Sequence, residues 1–186
     1  KVLIRKPIFM KMWEQHPKVW KYLINLGILL KYKTLNNSKL PNKIVLSSSQ
    51  ALYVNKEENR GRALLISGGN TQKRMTYFWE KAVKAYSPDM VIDVGVNYGE
   101  CLFSVTYPKY TAIYGIEANS DLIPYIKKSR EEHPNSAQIM IINAFASDKD
   151  NESIVFYKDQ HWSGTSSASY MPAHNMLEEV PVETIT

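Results

Sequence analysis

A chain of 186 residues has room for one domain and a modest extension, and with 44% hydrophobic and 22% charged residues it is not a disordered chain. Its net charge of +5 is unevenly placed: residues 1–45 carry ten Lys and Arg against one acid, Glu14, and the remainder carries thirteen basic and seventeen acidic side chains. The body of the protein is therefore mildly acidic, which argues against a nucleic-acid clamp, because such a face needs its cations at the site.

The single Cys101 excludes an internal disulfide, suits a reducing cytoplasm and reads as a packing residue. The four histidines, His16, His133, His161 and His174, have no metal-ligand spacing among themselves or with Cys101, so no metal site is expected. Both ends read as cut, Lys1 without an initiator methionine and Thr186 inside a strand-like run, as in a piece of a longer polypeptide.

From the front, residues 1–69 read as a basic extension. Trp13 to Tyr32 is helical in pattern, broken near Pro17, with Trp20, Leu23, Ile24, Ile28 and Leu30 roughly on one face. Its longest uncharged run, Tyr22 to Leu30, is nine residues, short of the ~20 a membrane crossing needs. Two readings stand for residues 1–45: a basic amphipathic segment contacting an anionic membrane or another domain, and a helical arm packed on the core with its lysines in water, the simpler of the two. A short strand follows at Lys43 to Leu46, and Ala51 to Val54 with Ala63 to Ile66 reads as a hairpin around the charged stretch Asn55 to Arg62.

Residues 70–186 read as the main domain. Asn70 or Thr71 caps a helix to about Tyr86 that buries Met75, Phe78, Trp79, Ala82 and Val83. Met90 to Val94 is a strand, followed by a glycine loop and a helix over Glu100 to Thr106. Thr111 to Ile116 is a second strand, Asp121 to Glu132 a helix, and Gln138 to Ala144 a third strand. This β-α-β-α-β order predicts parallel strands in a Rossmann-like, doubly wound α/β sheet. Ser153 to Tyr157, a Ser- and Gly-rich loop over Trp162 to Ser169, and the alternating run Glu179 to Thr186 close the chain.

The chemistry concentrates at the end of the first strand of that series. Asp93-Val94-Gly95-Val96-Asn97-Tyr98-Gly99 places two glycines where backbone must approach a ligand. The dinucleotide spacing G-x-G-x-x-G is not met, since no glycine stands at residues 96–98. Eighteen residues after Gly99, Glu117 ends the second strand, where an acid accepts hydrogen bonds from both hydroxyls of a ribose.

This string resembles motif I of the class I S-adenosylmethionine-dependent methyltransferases, and more particularly the FkbM type, whose loop reads D-x-G-A-N-x-G, with Val96 in place of the alanine. Asn143-Ala144-Phe145-Ala146-Ser147-Asp148 resembles that family's segment at the end of the third strand, with Phe145 replacing a common alanine. The likeness covers about residues 87–186.

It implies S-adenosyl-L-methionine as cofactor, held by Asp93, Gly95, Asn97, Gly99, Glu117, Asn143 and Ala144. It further implies methyl transfer to a hydroxyl of a small-molecule or saccharide acceptor, the acceptor side near His161, which is the candidate for a base that is otherwise unassigned. In the family a further strand with a K-x-D-x-E-G-type motif follows where this chain stops. The competing readings are a nicotinamide-dependent oxidoreductase, a nucleic-acid methyltransferase (for which an N-P-P-Y-type stretch is missing), and a non-catalytic Rossmann-like module docked through its basic front.

Overall fold

The computed structural model describes residues 17–159, 162–168 and 177–186. In chain order its elements are α1 (Pro17–Tyr32), β1 (Lys43–Val45), β2 (Ala51–Tyr53), α2 (Asn59–Ser67), α3 (Lys73–Tyr86), β3 (Met90–Val94), β4 (Ala112–Ile116), α4 (Ile123–Glu131), β5 (Ile139–Ile142), β6 (Phe145–Ala146), β7 (Ser153–Asp159) and β8 (Leu177–Ile185). The described residues thus form a mixed α/β structure with four α-helices around a short, three-stranded parallel sheet of order β3-β4-β5.

The β-branched runs at residues 90–94, 112–116 and 139–142 pair in parallel, Val91 opposite Ile113 and Ile113 opposite Ile139. Register partners share a face, so Val91, Ile113 and Ile139 point into the core, where Ile113 is fully buried. The other face carries Met90, Ile92, Val94 and Met140, each more than half exposed. A second sheet of order β6-β8-β7 follows, with β7 and β8 antiparallel over seven residue pairs from Ser153↔Glu183 to Asp159↔Leu177.

The front of the chain packs into the same core. Ile24 and Ile28, one turn apart on α1, join Leu64 and Leu65 of α2 and Ile113 of β4 in one buried cluster. The Tyr32 hydroxyl donates to the Leu65 carbonyl at 3.1 Å. The hairpin of β1 and β2 docks on α4 through Tyr53 N–H to Ser129 Oγ at 2.8 Å and the ion pair of Lys43 with Glu132 at 2.5 Å.

Four local expectations are corrected. Ala63 to Ile66 is not a strand but the body of α2, and β2 pairs instead with β1. A four-residue apolar run does not distinguish strand from helix, and here the preceding charged stretch supplies a helix start. Glu100 to Thr106 is a turn rather than a helix, held by Phe103 N–H to Gly99 O at 2.9 Å and Ser104 N–H to Cys101 O at 3.0 Å. The β-branched Val105 and Thr106 and the residue before Pro108 all disfavour continuing it. Thr71 does not cap α3: its hydroxyl donates to Glu100 at 2.7 Å, and the N-cap position falls on Gln72, which makes no side-chain cap bond. Met75 and Phe78 are exposed rather than buried, because α3 meets the core through Val83 and through Trp79, whose indole donates to the Tyr107 hydroxyl at 2.8 Å.

The two sides of α1 should respond differently to truncation. Ile28→Ala removes a fully buried side chain and should cost about 3 kcal/mol. Leu26→Ala, on the outward side, should change stability by less than about 0.5 kcal/mol. Urea unfolding of the two variants, read by circular dichroism, checks the difference.

Candidate functional site

At the carboxyl ends of β3 and β4 lies a cavity of about 700 Å³. One wall is the loop after β3, with Val94, Gly95 and Asn97, beside Ile116, Glu117 and Ala118 at the end of β4. Ala144, Phe145, Ala146 and Phe156 form a second wall. The third comes from distant segments: Trp20 of α1, Arg60 and Ala63 of α2, Thr71 and Gln72 before α3, and Trp162, Ser163, Gly164 and Ser166.

The glycine loop is shaped by backbone conformation. Gly95 sits at φ 77° with open space where a Cβ would be, so it is required for its left-handed turn and not for clearance. Gly99, at φ 88°, lies under the Phe103 ring, 2.4 Å from where its Cβ would fall. That glycine serves the packing beneath the loop.

Glu117 ties the loop to β4. One carboxylate oxygen accepts the Asn97 N–H at 2.7 Å and the other accepts the Asn119 N–H at 2.7 Å. A carboxylate offers about four acceptor positions, so with the Ala118 amide also directed at it Glu117 keeps acceptor capacity for a further donor. Burial raises the Glu117 pKa, and the amides of Asn119, Asn97 and Ala118 oppose the shift. Asp93, at the end of β3, is pushed up to about 6 by burial and by the neighbouring charge of Glu117. Burial and the proximity of Asp93 push the Cys101 thiol up to about 11, which keeps it protonated and unreactive at neutral pH.

Two buried knots hold the third wall in place. The Glu58 carboxylate accepts the N–H groups of Arg60 and Gly61 at 2.8 Å each, the Ser163 N–H at 3.1 Å and the Tyr98 hydroxyl at 3.0 Å. It caps α2 and joins that helix to both cavity loops. Burial raises its pKa against those four donors. In the second knot the buried Arg60 guanidinium pairs with Glu100, whose other oxygen accepts the Thr71 N–H at 3.1 Å. Arg60 also lies 5.7 Å from the ring of Trp162, and Trp162 meets Trp20 edge to face at 6.2 Å.

Of the residues expected from sequence, Gly95, Asn97, Glu117 and Ala144 lie on the cavity wall. Asp93, Gly99 and Asn143 are not part of that wall. Asn143 supports it from behind, its amide donating to the carbonyls of Glu117 at 2.8 Å and Ala118 at 3.2 Å. His161 falls outside the described residues. Trp20, Glu58, Arg60 and Glu100 were not anticipated from sequence as site residues. Among the described residues no group of three or more His, Cys, Asp or Glu is placed to hold a metal ion.

The one cationic side chain on the described wall, Arg60, is engaged by Glu100, while Glu117 brings a carboxylate and four aromatic rings surround it. This combination suits a ligand with a flat ring, hydroxyl donors and a positive charge, and opposes a pyrophosphate. No family model, no curated protein and no solved structure matches the chain.

Two outcomes follow from the buried acids. The Asp93 pKa is raised on folding, so its stabilising share is complete below pH ~4 and is lost as pH rises to about 6. Asp93→Asn should therefore gain about 2 to 3 kcal/mol over the parent at pH 7 and nothing at pH 4, read as urea midpoints across that range. Glu58→Ala strands four donors and should cost about 3 kcal/mol or more, with a lowered thermal midpoint as the readout.

Proposed function

We propose that the chain is an S-adenosylmethionine-dependent methyltransferase of the class I, Rossmann-like type, acting on a hydroxyl of a sugar or sugar-bearing molecule. The observation that carries this reading is the pairing of Glu117 with the glycine loop on one cavity wall. An acid one strand over from a tight backbone bend is the arrangement that grips a ribose beside a nucleoside.

The electrostatics support the same cofactor over its rivals. A nicotinamide dinucleotide brings a pyrophosphate, and the wall offers it no uncommitted cation among the described residues. A sulfonium cofactor brings positive charge, which Glu117 and the aromatic rings of Trp20, Phe145, Phe156 and Trp162 accommodate. The order β3-β4-β5 with α4 between β4 and β5 fits the first half of such a domain.

In this reading Glu117 accepts from the ribose with the capacity its amide donors leave, while Asn97 N–H fixes the carboxylate. Ala144 and Phe145 flank the adenine side, and Gly95 lets the main chain pass the amino-acid end. The cofactor supplies an activated methyl group. The task of the protein is to align the acceptor oxygen with that carbon and to keep water out, so much of the rate comes from positioning. The paired indoles of Trp20 and Trp162 and the buried Ser163 are the groups of the third wall against which an acceptor ring would lie.

Titration calorimetry with S-adenosylhomocysteine tests the reading. Binding in the micromolar range is expected, with Glu117→Ala weakening it by about tenfold or more and NADH giving no heat at the same concentration. Heat from NADH, or none from S-adenosylhomocysteine, would overturn it.

A further inference from the structure

We propose that the outward side of α1 is a docking surface for an anionic lipid bilayer. The inference is independent of the cavity and of the reaction assigned to it. Helix α1 packs on α2 through Ile24 and Ile28, yet its opposite side is also apolar. Val19, Tyr22, Leu23, Leu26, Leu29 and Leu30 are between 42% and 73% exposed. At 3.6 residues per turn these six fall within a sector of about 120° facing away from the core. A helix that is apolar on all sides is normally covered on all sides.

The charge around the sector selects the cover. Residues 17–45 contain six lysines and no acid. Lys33 and Lys39, just past the C-terminal end of α1, are exposed. Lys21 is exposed on the half of the helix nearer Ile28, Lys31 is held on the inner side by the Leu65 carbonyl at 2.7 Å, and Lys43 pairs with Glu132. A second copy of the chain would bring the same lysines against these, a like-charge approach. The negative surface of an anionic leaflet instead gains about 1 kcal/mol for each lysine near it. At 16 residues α1 is about 24 Å long, and no described helix is long and apolar enough to cross a membrane. This arrangement has the helix flat in the interface, its leucines among the upper acyl chains and Lys33 and Lys39 among the phosphates.

Docking this way has a consequence for the cavity. Trp20, on the inner side of α1, is part of the cavity wall, so the cavity is held about one helix diameter from the lipid.

Vesicle co-sedimentation with the whole chain tests the proposal. Vesicles of about three parts phosphatidylcholine to one part phosphatidylglycerol should bind it at least about tenfold more tightly than phosphatidylcholine alone. Raising salt to about 0.5 M should abolish the preference. The triple variant Leu23→Ser, Leu26→Ser, Leu30→Ser should lose binding while keeping the parent's circular dichroism spectrum, since none of the three is buried. Lys33→Glu with Lys39→Glu should lose the lipid preference. Equal affinity for the two vesicle types, or none for either, overturns the proposal. So does a soluble dimer in sedimentation equilibrium that the serine variant dissociates, because a second copy would then be the cover.

Discussion

Four hydrogen bonds converge on the carboxylate of Glu58, and most of the site depends on them. A carboxylate largely withdrawn from water is costly unless its acceptor positions are used. Here the donors come from three places in the chain: the first turn of α2, the loop after β3 and the segment that opens at Ser163. These are the segments that wall the cavity. Fixing the acid therefore fixes the relative positions of Arg60, Asn97 and Trp162. The neighbouring pair of Arg60 and Glu100 adds a second tie, from α2 to the turn beneath the glycine loop and to Thr71. The cavity wall is thus assembled from segments up to 105 residues apart by charge-assisted hydrogen bonds.

How much of this was legible in the sequence depended on how local the signal was. The strands β3, β4 and β5 announce themselves as apolar runs ended by turn residues, and their parallel pairing was expected from an alternation with helices, of which the first is in fact a turn. Glu117 was legible for the same reason, standing at a strand end at a fixed interval from the glycines. Glu58 and Arg60 were not. They belong to a stretch so rich in charge that it reads as a solvated loop, and they are buried by partners forty or more residues downstream. Glutamate is also not among the favoured N-cap residues, so the start of α2 was masked. The only local hint was the apolar run Ala63 to Ile66 directly after the charges, which fits a helix once those charges are its first turn. Trp20 could be placed on the inner side of its helix, but not in a cavity whose other walls are more than seventy residues away.

Inside and outside, the molecule has opposite electrostatic character. The cavity pairs its cation internally and keeps Glu117, with Asp93 below it held only half ionised near pH 6. The surface of the front segment is lysine-rich and lacks acids between residues 17 and 45. A positively charged small molecule would be repelled at the outer face of α1 and favoured within, whereas an anionic surface would meet the reverse. On the two proposals made above, the groups that would meet a cofactor and those that would meet a bilayer are different residues.

The parallel sheet carries one more lesson. Such sheets are ordinarily sandwiched, yet Met90, Ile92, Val94 and Met140 present an oily plane to water, and among the described residues β3 is an outermost strand with one row of its backbone groups unmatched. A plane of that kind beside a raw hydrogen-bonding edge is a nucleus for lateral growth. Lateral pairing through that edge is the aggregation route such an arrangement offers, and Ile92→Lys would put a charge on the plane without touching the side of β3 that faces the core.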